Sequence, residues 1–142
     1  MKPVLLDTNV LSYAIRRDTR FAWYANELRD CEPCVSFMTI AELYLWADVR
    51  GWGGRRRSDL DTYLSQCHAI YVDLRLCRAW SSLMAECRGQ GRKLPIADAW
   101  IAATALEHSL PLFTHNRKHF EFIQGLTIVS SPDVADNERA DD

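Results

Sequence analysis

The sequence contains no long hydrophobic run. No stretch approaches the roughly 18 consecutive apolar residues that a membrane-spanning helix needs, so a transmembrane segment is excluded. The chain begins MKPVLLD and enters a predicted strand within its first five residues, which leaves no room for a secretory signal. We therefore expect a protein of the cytoplasm.

Cysteines are few and odd in number. Five thiols without a secretory context do not indicate a disulfide framework. Cys31 and Cys34 have C-x-x-C spacing, but no second such pair and no pair of histidines completes a zinc site. A redox pair would begin a helix after a strand, whereas this one precedes a predicted strand. We interpret all five cysteines as structural.

Net charge is also small. The formal value of -2 does not by itself favour a nucleic-acid partner, but residues 131–142 hold five acids and one base, so residues 1–130 carry 16 basic and 14 acidic side chains. Two interpretations of the basic residues stay open: solvated loops and helix ends, or a basic rim that holds phosphates beside an acidic centre. They form three clusters: Arg16, Arg17 and Arg20; Arg50, Arg55, Arg56 and Arg57; Arg88, Arg92 and Lys93.

Strand-like and helix-like segments alternate along the chain, with no internal repeat. Short apolar runs predict strands at residues 3–6, 34–37, 69–72, 112–114 and 126–129. Helices are predicted over about 8–16, 19–30, 40–50, 58–67, 74–88, 95–108 and 116–123. We predict an α/β fold, with one domain over residues 1–130 built on a mostly parallel five-stranded sheet flanked by helices. An acidic tail over 131–142 is expected to be disordered.

Three carboxylates occur where a predicted strand passes into a predicted helix. They are Asp7 in VLLDTNVL, Glu42 in VSFMTIAEL and Asp98 in KLPIADAWIAATAL. The carboxyl ends of parallel strands carry the sites of α/β proteins. Acids gathered there would repel one another, so a divalent cation is the simplest partner, and carboxylate oxygens favour Mg²⁺ or Mn²⁺. Such a site suits phosphodiester hydrolysis, because the ion activates water and polarises a phosphoryl oxygen.

Each acid also has a structural interpretation. Asp7 could cap the helix that follows it. Thr39 and Glu42 have the spacing of a capping box, and Asp98 could favour the positive end of a helix dipole. Asp98 is the strongest candidate for a cation, because its helix is apolar on every side except at Asp98 and Thr104 and no Lys or Arg lies within a turn.

Polar residues follow the fourth predicted strand. The Thr114 hydroxyl and the Asn116 amide could orient the carboxylates or their waters. His115 and His119 could act as general bases. A histidine beside a surface turn is more often uninvolved, and we predict that for both.

The segments LLDTNVLSY, SFMTIAEL, LPIADAWIAATALEHSLPLFTHN and FEFIQGLTIV resemble, in order and spacing, the PIN domain, and more closely the VapC-type toxins of type II toxin–antitoxin pairs. They span about residues 4–129. The resemblance implies a Mg²⁺- or Mn²⁺-dependent endoribonuclease whose metal ligands are Asp7, Glu42 and Asp98. It also implies a homodimer and a cognate antitoxin whose C-terminal segment fills the active-site groove.

The resemblance extends to neighbouring polar residues. Thr8 and Asn9 match the family's DTN motif, and Thr114 and Asn116 match its T-x-N motif. Family members often have a fourth acid just before the Phe of the next helix, where this chain has His119. This departure predicts one firm metal site and a second that is weak or depends on substrate. Asn116 or a water would take the place of the fourth acid at the second site.

Two other functions compete with a nuclease. The missing fourth acid keeps open a catalytically weak RNA-binding or partner-binding module of the same fold. A phosphatase that forms an aspartyl-phosphate at Asp7 is disfavoured, because such enzymes have a second acid two residues on and Asn9 occupies that place.

Overall fold

A computed structural model describes residues 1–132, and residues 133–142, which make up most of the predicted tail, lie outside the described residues. The strands are β1 (Lys2–Leu6), β2 (Cys31–Ser36), β3 (His68–Ile70), β4 (Leu112–Phe113) and β5 (Ile128–Val129). They form one sheet in the order β3-β2-β1-β4-β5, and every pairing is parallel. The predicted α/β fold with a parallel five-stranded sheet is confirmed.

Seven helices lie between the strands of the described chain. They are α1 (Thr8–Ile15), α2 (Phe21–Glu27), α3 (Phe37–Val49), α4 (Gly54–Ser65), α5 (Leu74–Gly89), α6 (Ile96–Glu107) and α7 (Arg117–Phe120). Side chains of β1 alternate between two apolar cores: Leu5 packs with α5 and α6, whereas Val4 and Leu6 pack with α1, α3 and α4. Helices thus cover both faces of the sheet, as a parallel sheet requires.

Element boundaries differ from the predictions in a few places. β2 begins at Cys31, so Cys31 and Cys34 lie within a strand and not before it. Pro33 is tolerated because β3 pairs only with residues 34–36 of β2, which leaves the strand edge open at the proline. α4 begins at Gly54, four residues before its predicted start. α7 is shorter than predicted.

All five cysteines are free thiols.

The last described residues are attached to the domain beside α2. The Ser131 N–H donates to the hydroxyl of Tyr24 over 3.2 Å, and that hydroxyl also donates to the Thr114 carbonyl over 3.2 Å. Tyr24 is fully buried and Ser131 nearly so, which ties the chain at 131 to the carboxyl end of β4. No helix among residues 1–132 has the length and hydropathy needed to cross a bilayer.

Candidate active site

The site lies at the carboxyl end of β1, between β2 and β4. β1 is the point where the strand order changes direction, with β2 and β3 on one side and β4 and β5 on the other. Ligands of open α/β sheets bind at such a position, because the following helices diverge to opposite faces and leave a crevice. Asp7 is the single residue between β1 and α1, so its side chain lies at that crevice.

Asp7 is held by hydrogen bonds to both of its carboxylate oxygens. Oδ1 accepts from the Thr8 N–H over 2.7 Å, and Oδ2 accepts from the Thr114 hydroxyl over 2.7 Å. The helix-cap contact expected of Asp7 therefore exists, but it uses only one oxygen. Asp7 is 4% exposed, so it is a fixed, buried carboxylate.

The capping-box interpretation of Glu42 is wrong. The cap of α3 is Ser36, whose hydroxyl accepts from the Thr39 N–H over 3.1 Å. Glu42 turns instead towards the segment after β1, where its Oε1 accepts from the Thr8 hydroxyl over 2.7 Å. The Thr8 and Thr39 hydroxyls lie 2.9 Å apart, so two threonines position this carboxylate.

Asp98 lies in the first turn of α6, with its side chain 20% exposed. Its Oδ2 is 3.3 Å from Nδ1 of His119 in α7. His119 is therefore in contact with a candidate ligand, which the sequence does not predict, and its part in the chemistry stays a prediction. No sequence spacing links α6 to α7, because the contact forms only when the two helices pack.

His115 has structural contacts. Its ring meets the rings of Tyr13 and Tyr24 edge-on, at centroid distances of 5.3 and 5.7 Å. Its Nδ1 lies 2.8 Å from the Tyr24 hydroxyl. These contacts support the end of β4, one residue beyond Thr114.

Asn116 and Asn9 are less firmly placed. The Asn116 N–H donates to the Thr114 hydroxyl oxygen over 3.0 Å, and within residues 1–132 its side chain does not cap α7. Asn9 is half-buried in the first turn of α1, and among the described contacts none ties it to the three acids. The functional roles of both asparagines stay predictions.

Burial dominates the electrostatics of Asp7. It raises the pKa of Asp7 from 3.8 to about 6, although the hydrogen bonds from Thr114 and Thr8 lower that pKa and His119 assists them slightly. The negative charge of Asp98 contributes to the rise. An acid with this pKa is mostly ionised at neutral pH but gains much from a nearby cation.

The other two acids behave in the same way. Burial raises the pKa of Glu42, the Thr8 hydrogen bond lowers it, and the charge of Asp7 raises it again. Burial also raises the pKa of Asp98, which His119 lowers and Glu42 raises. Because each acid raises the pKa of another, the three carboxylates share one electrostatic environment.

The donor set fits a hard divalent cation. Neither Asp7 nor Glu42 forms an ion pair with Lys or Arg in the described part of the chain. Carboxylate oxygens in such a place are the ligands that Mg²⁺ and Mn²⁺ prefer. As they stand, no three His, Cys, Asp or Glu side chains within residues 1–132 are close enough to hold an ion. Binding would therefore need side-chain movement, with waters or substrate oxygens completing the shell.

Comparison with known proteins places this geometry in context. A family model described as PIN domain matches residues 4–124. Ribonuclease VapC2 of Haemophilus influenzae is 29% identical over 131 residues, covering 89% of this chain and 96% of that protein. The tRNA(fMet)-specific endonuclease VapC of Shigella flexneri is 25% identical over 126 residues, with coverage of 89% and 96%.

Solved structures agree with the sequence comparison. VapBC2 from Rickettsia felis, bound to a DNA fragment from its promoter, includes a chain with a TM-score of 0.77 at 25% identity, covering 91% of this chain and 98% of that one. A toxin–antitoxin complex from Klebsiella pneumoniae includes a chain with a TM-score of 0.69 at 28% identity, covering 89% and 96%. The similarity thus extends over nearly the whole length of these proteins.

Proposed function

This chain belongs to the PIN domain family, and on that premise we propose that it is a metal-dependent endoribonuclease acting as the toxin of a type II toxin–antitoxin pair. The observation that carries the proposal is the grouping of Asp7, Glu42 and Asp98 at one end of the sheet, with pKa values raised by burial and by one another. Relatives of nearly full length are named as ribonucleases and a transfer-RNA endonuclease.

The three acids are the proposed ligands of Mg²⁺ or Mn²⁺. When bound, the ion supplies an activated water and a polarised phosphoryl oxygen for hydrolysis of the phosphodiester bond. Thr8 and Thr114 fix the directions of the ligating oxygens through their hydrogen bonds. We assign Asn9 to the same supporting shell and the Asn116 side chain to the substrate side of the site.

RNA and an antitoxin are the proposed partners. The first follows from the ribonuclease names of the relatives, and the second from the toxin–antitoxin complex among the structural neighbours. The cytoplasm, where RNA is abundant, is the compartment we propose. Homodimer formation, implied by the family resemblance, also stays a prediction.

A cleavage assay tests the proposal directly. We expect the purified protein to cut RNA with Mg²⁺ or Mn²⁺, and expect Asp7→Asn and Asp98→Asn to abolish cutting while circular dichroism stays unchanged. Asp30→Asn changes an exposed acid in the turn between α2 and β2. It is the matched control and should cleave RNA normally. Cutting that persists in excess EDTA, or that survives both active-site changes, would overturn the proposal.

Growth provides a second readout. Expression of the chain alone should arrest growth, and co-expression of the antitoxin or the change Asp98→Asn should relieve the arrest. Arrest that the Asp98→Asn protein still causes would show that toxicity does not come from this site.

A catalytically weak RNA-binding module is the second candidate. It is favoured by one observation: His119 already faces Asp98, at 3.3 Å, in the place of a fourth acid. In that case RNA would bind with salt-dependent affinity and stay uncut with every divalent ion tested.

A further inference from the structure

We propose that an arginine-lined cleft between α1, α3 and α4 binds backbone phosphates of the RNA at a distance from the active site. This inference rests on the RNA-directed function proposed above and adds a contact site for the same substrate. The cleft has a volume of about 550 Å³. The residues that line it and carry the inference are Arg16, Arg17, Arg50, Arg55, Arg56 and Trp52.

The cleft brings together five of the seven arginines in two of the basic clusters of the sequence, and Arg20 and Arg57 are not in its described lining. Its arginines come from the carboxyl end of α1, the carboxyl end of α3 and the first turns of α4. Asp59 is the single acid among the described lining residues, and it pairs with Arg17 at 3.3 Å. Among the described lining residues, positive charge therefore exceeds negative charge, which is the arrangement that attracts polyanions.

Several of these guanidinium groups are held in place. Arg50 lies over the ring of Trp46 at 4.5 Å from the ring centroid, and Arg56 lies over Trp52 at 5.7 Å. Arg16 donates through Nε to the Ser12 hydroxyl over 3.1 Å. Arginines fixed in this way lose less side-chain entropy on binding, and their planar groups suit the paired oxygens of a phosphate.

The start of α4 forms one wall of the cleft and is built for an anion. Its first turn brings Arg55 and Arg56 to the cleft with no acid, although positive charge is unfavourable at the positive end of a helix dipole. The next residue, Arg57, pairs with Asp48 at 3.1 Å. Within residues 1–132 no side chain caps this helix, and a Cβ at Gly53 or Gly54 would meet nothing within 4 Å, so an anion has room to approach the first amides. A bound phosphate would offset the repulsion and accept from those amides.

A phosphate chain fits this cleft better than a protein segment does. Ile15 and Trp52 are the apolar residues of the lining, and both are at least 94% buried. The other lining residues are arginines, glycines and Asp59, so the cleft exposes guanidinium groups and aliphatic arginine stems and no large apolar side chain of the kind that anchors a docked peptide helix. Single-stranded RNA needs mainly a positive groove along its backbone.

The position of the cleft suits a substrate that passes through the active site. α1 begins next to Asp7 and ends at the cleft, and a helix of that length spans about 12 Å. α1 itself is buried apart from Asn9, so an RNA strand cut beside Asp7 would pass over the side chains that cover this helix before a later phosphate reached these arginines. A very short RNA, such as a dinucleotide, would not reach the cleft.

The test compares RNA binding by three proteins in EDTA, where cutting is not expected. They are the unchanged chain, the double variant Arg55→Gln/Arg56→Gln, and the control Arg75→Gln/Arg78→Gln, which removes the same charge from exposed positions at the start of α5. The probe is a fluorescent single-stranded RNA oligonucleotide, titrated at several salt concentrations.

Loss of two phosphate contacts should raise Kd about tenfold and flatten the slope of log K against log salt by about 1.4. The control pair should change neither quantity. With Mg²⁺, cleavage of a long RNA should slow through KM while cleavage of a dinucleotide stays the same.

Equal Kd and slope for the two double variants would overturn the inference. So would a selective loss of antitoxin affinity in Arg55→Gln/Arg56→Gln with RNA binding unchanged, because the cleft would then serve the protein partner. If no RNA is ever cut but the slope flattens as expected, the cleft stands and the nuclease proposal fails. The two proposals can therefore fail separately.

Discussion

The Thr8 hydroxyl donates a 2.7 Å hydrogen bond to Oε1 of Glu42. This contact joins the helix after β1 to the helix after β2, at the end of the sheet where Asp7 lies. It also removes Glu42 from the cap of its own helix, a position that Ser36 occupies. Helix capping and the candidate chemistry of α3 therefore belong to different residues and can be separated by substitution.

We predict that Ser36→Ala lowers stability without affecting cleavage, and that Glu42→Gln abolishes cleavage without affecting stability much. Ser36→Ala removes the helix cap and should lower the free energy of unfolding by about 1 kcal/mol, with RNA cleavage retained. Glu42→Gln should abolish metal-dependent cleavage with little loss of stability, because a Gln side-chain oxygen can still accept from Thr8. Urea unfolding and a cleavage assay on both variants check this. Full activity of Glu42→Gln would show that the carboxylate charge is not needed.

Asp7 is predicted to make the metal-free protein less stable as pH rises. Its pKa is about 6 in the folded state against an ordinary 3.8, so the folded chain holds this proton more tightly. Protonated Asp7 therefore adds about 3 kcal/mol to the free energy of unfolding. This contribution is fully present below about pH 4 and is lost as the pH rises to about 6. The difference in unfolding free energy between the unchanged chain and Asp7→Asn, in EDTA from pH 4.5 to 7.5, should follow this curve.

Asp18 provides the opposite control for that experiment. Its hydrogen bond with Arg20 lowers the pKa of Asp18 to about 2, so its contribution is present above its ordinary pKa and is lost only as pH falls from about 4 to 2. Asp18→Asn should therefore give a constant difference from pH 4.5 to 7.5. A constant difference for Asp7→Asn as well would contradict the raised pKa.

His119 is predicted to limit metal affinity. His119→Asp would place a fourth carboxylate beside Asp98 and should tighten Mg²⁺ binding, measured by calorimetry on the folded protein. His119→Gln keeps a polar side chain without a charge and is the control. If His119→Asp and His119→Gln both weaken Mg²⁺ binding, the imidazole of His119 itself helps to bind the ion. The prediction that His119 limits metal affinity would then be wrong.

Local patterns in the sequence predicted most of the fold. The apolar runs at 3–6 and 112–114 and the helical periodicity of 40–47 indicated elements that the structure contains. The start of α4 was missed because two glycines and three arginines are typical of a turn, yet Gly54 begins the helix. The start of β2 was missed because Pro33 disfavours a strand, unless the neighbouring strand is too short to need its N–H.

The candidate site was predictable in its acids and not in its contacts. Asp7, Glu42 and Asp98 stood out because each lies near a strand–helix junction. The pairing of Asp98 with His119, and that of Thr8 with Glu42, depend on how helices pack, and no spacing along the chain encodes them. Ser36 was overlooked as a cap because the strand was predicted to run through Phe37.

The order of the strands places β4 beside β1 although they are more than a hundred residues apart along the chain. The Thr114 hydroxyl that holds Asp7 therefore leaves the ribosome long after Asp7 does, and Asp98 is also made late. A growing chain that has released α1 and α3 has two acids but neither the third nor the strand that fixes the first. On the function proposed above, such a chain would not cut RNA before Asp98 and Thr114 have been made and have folded against β1.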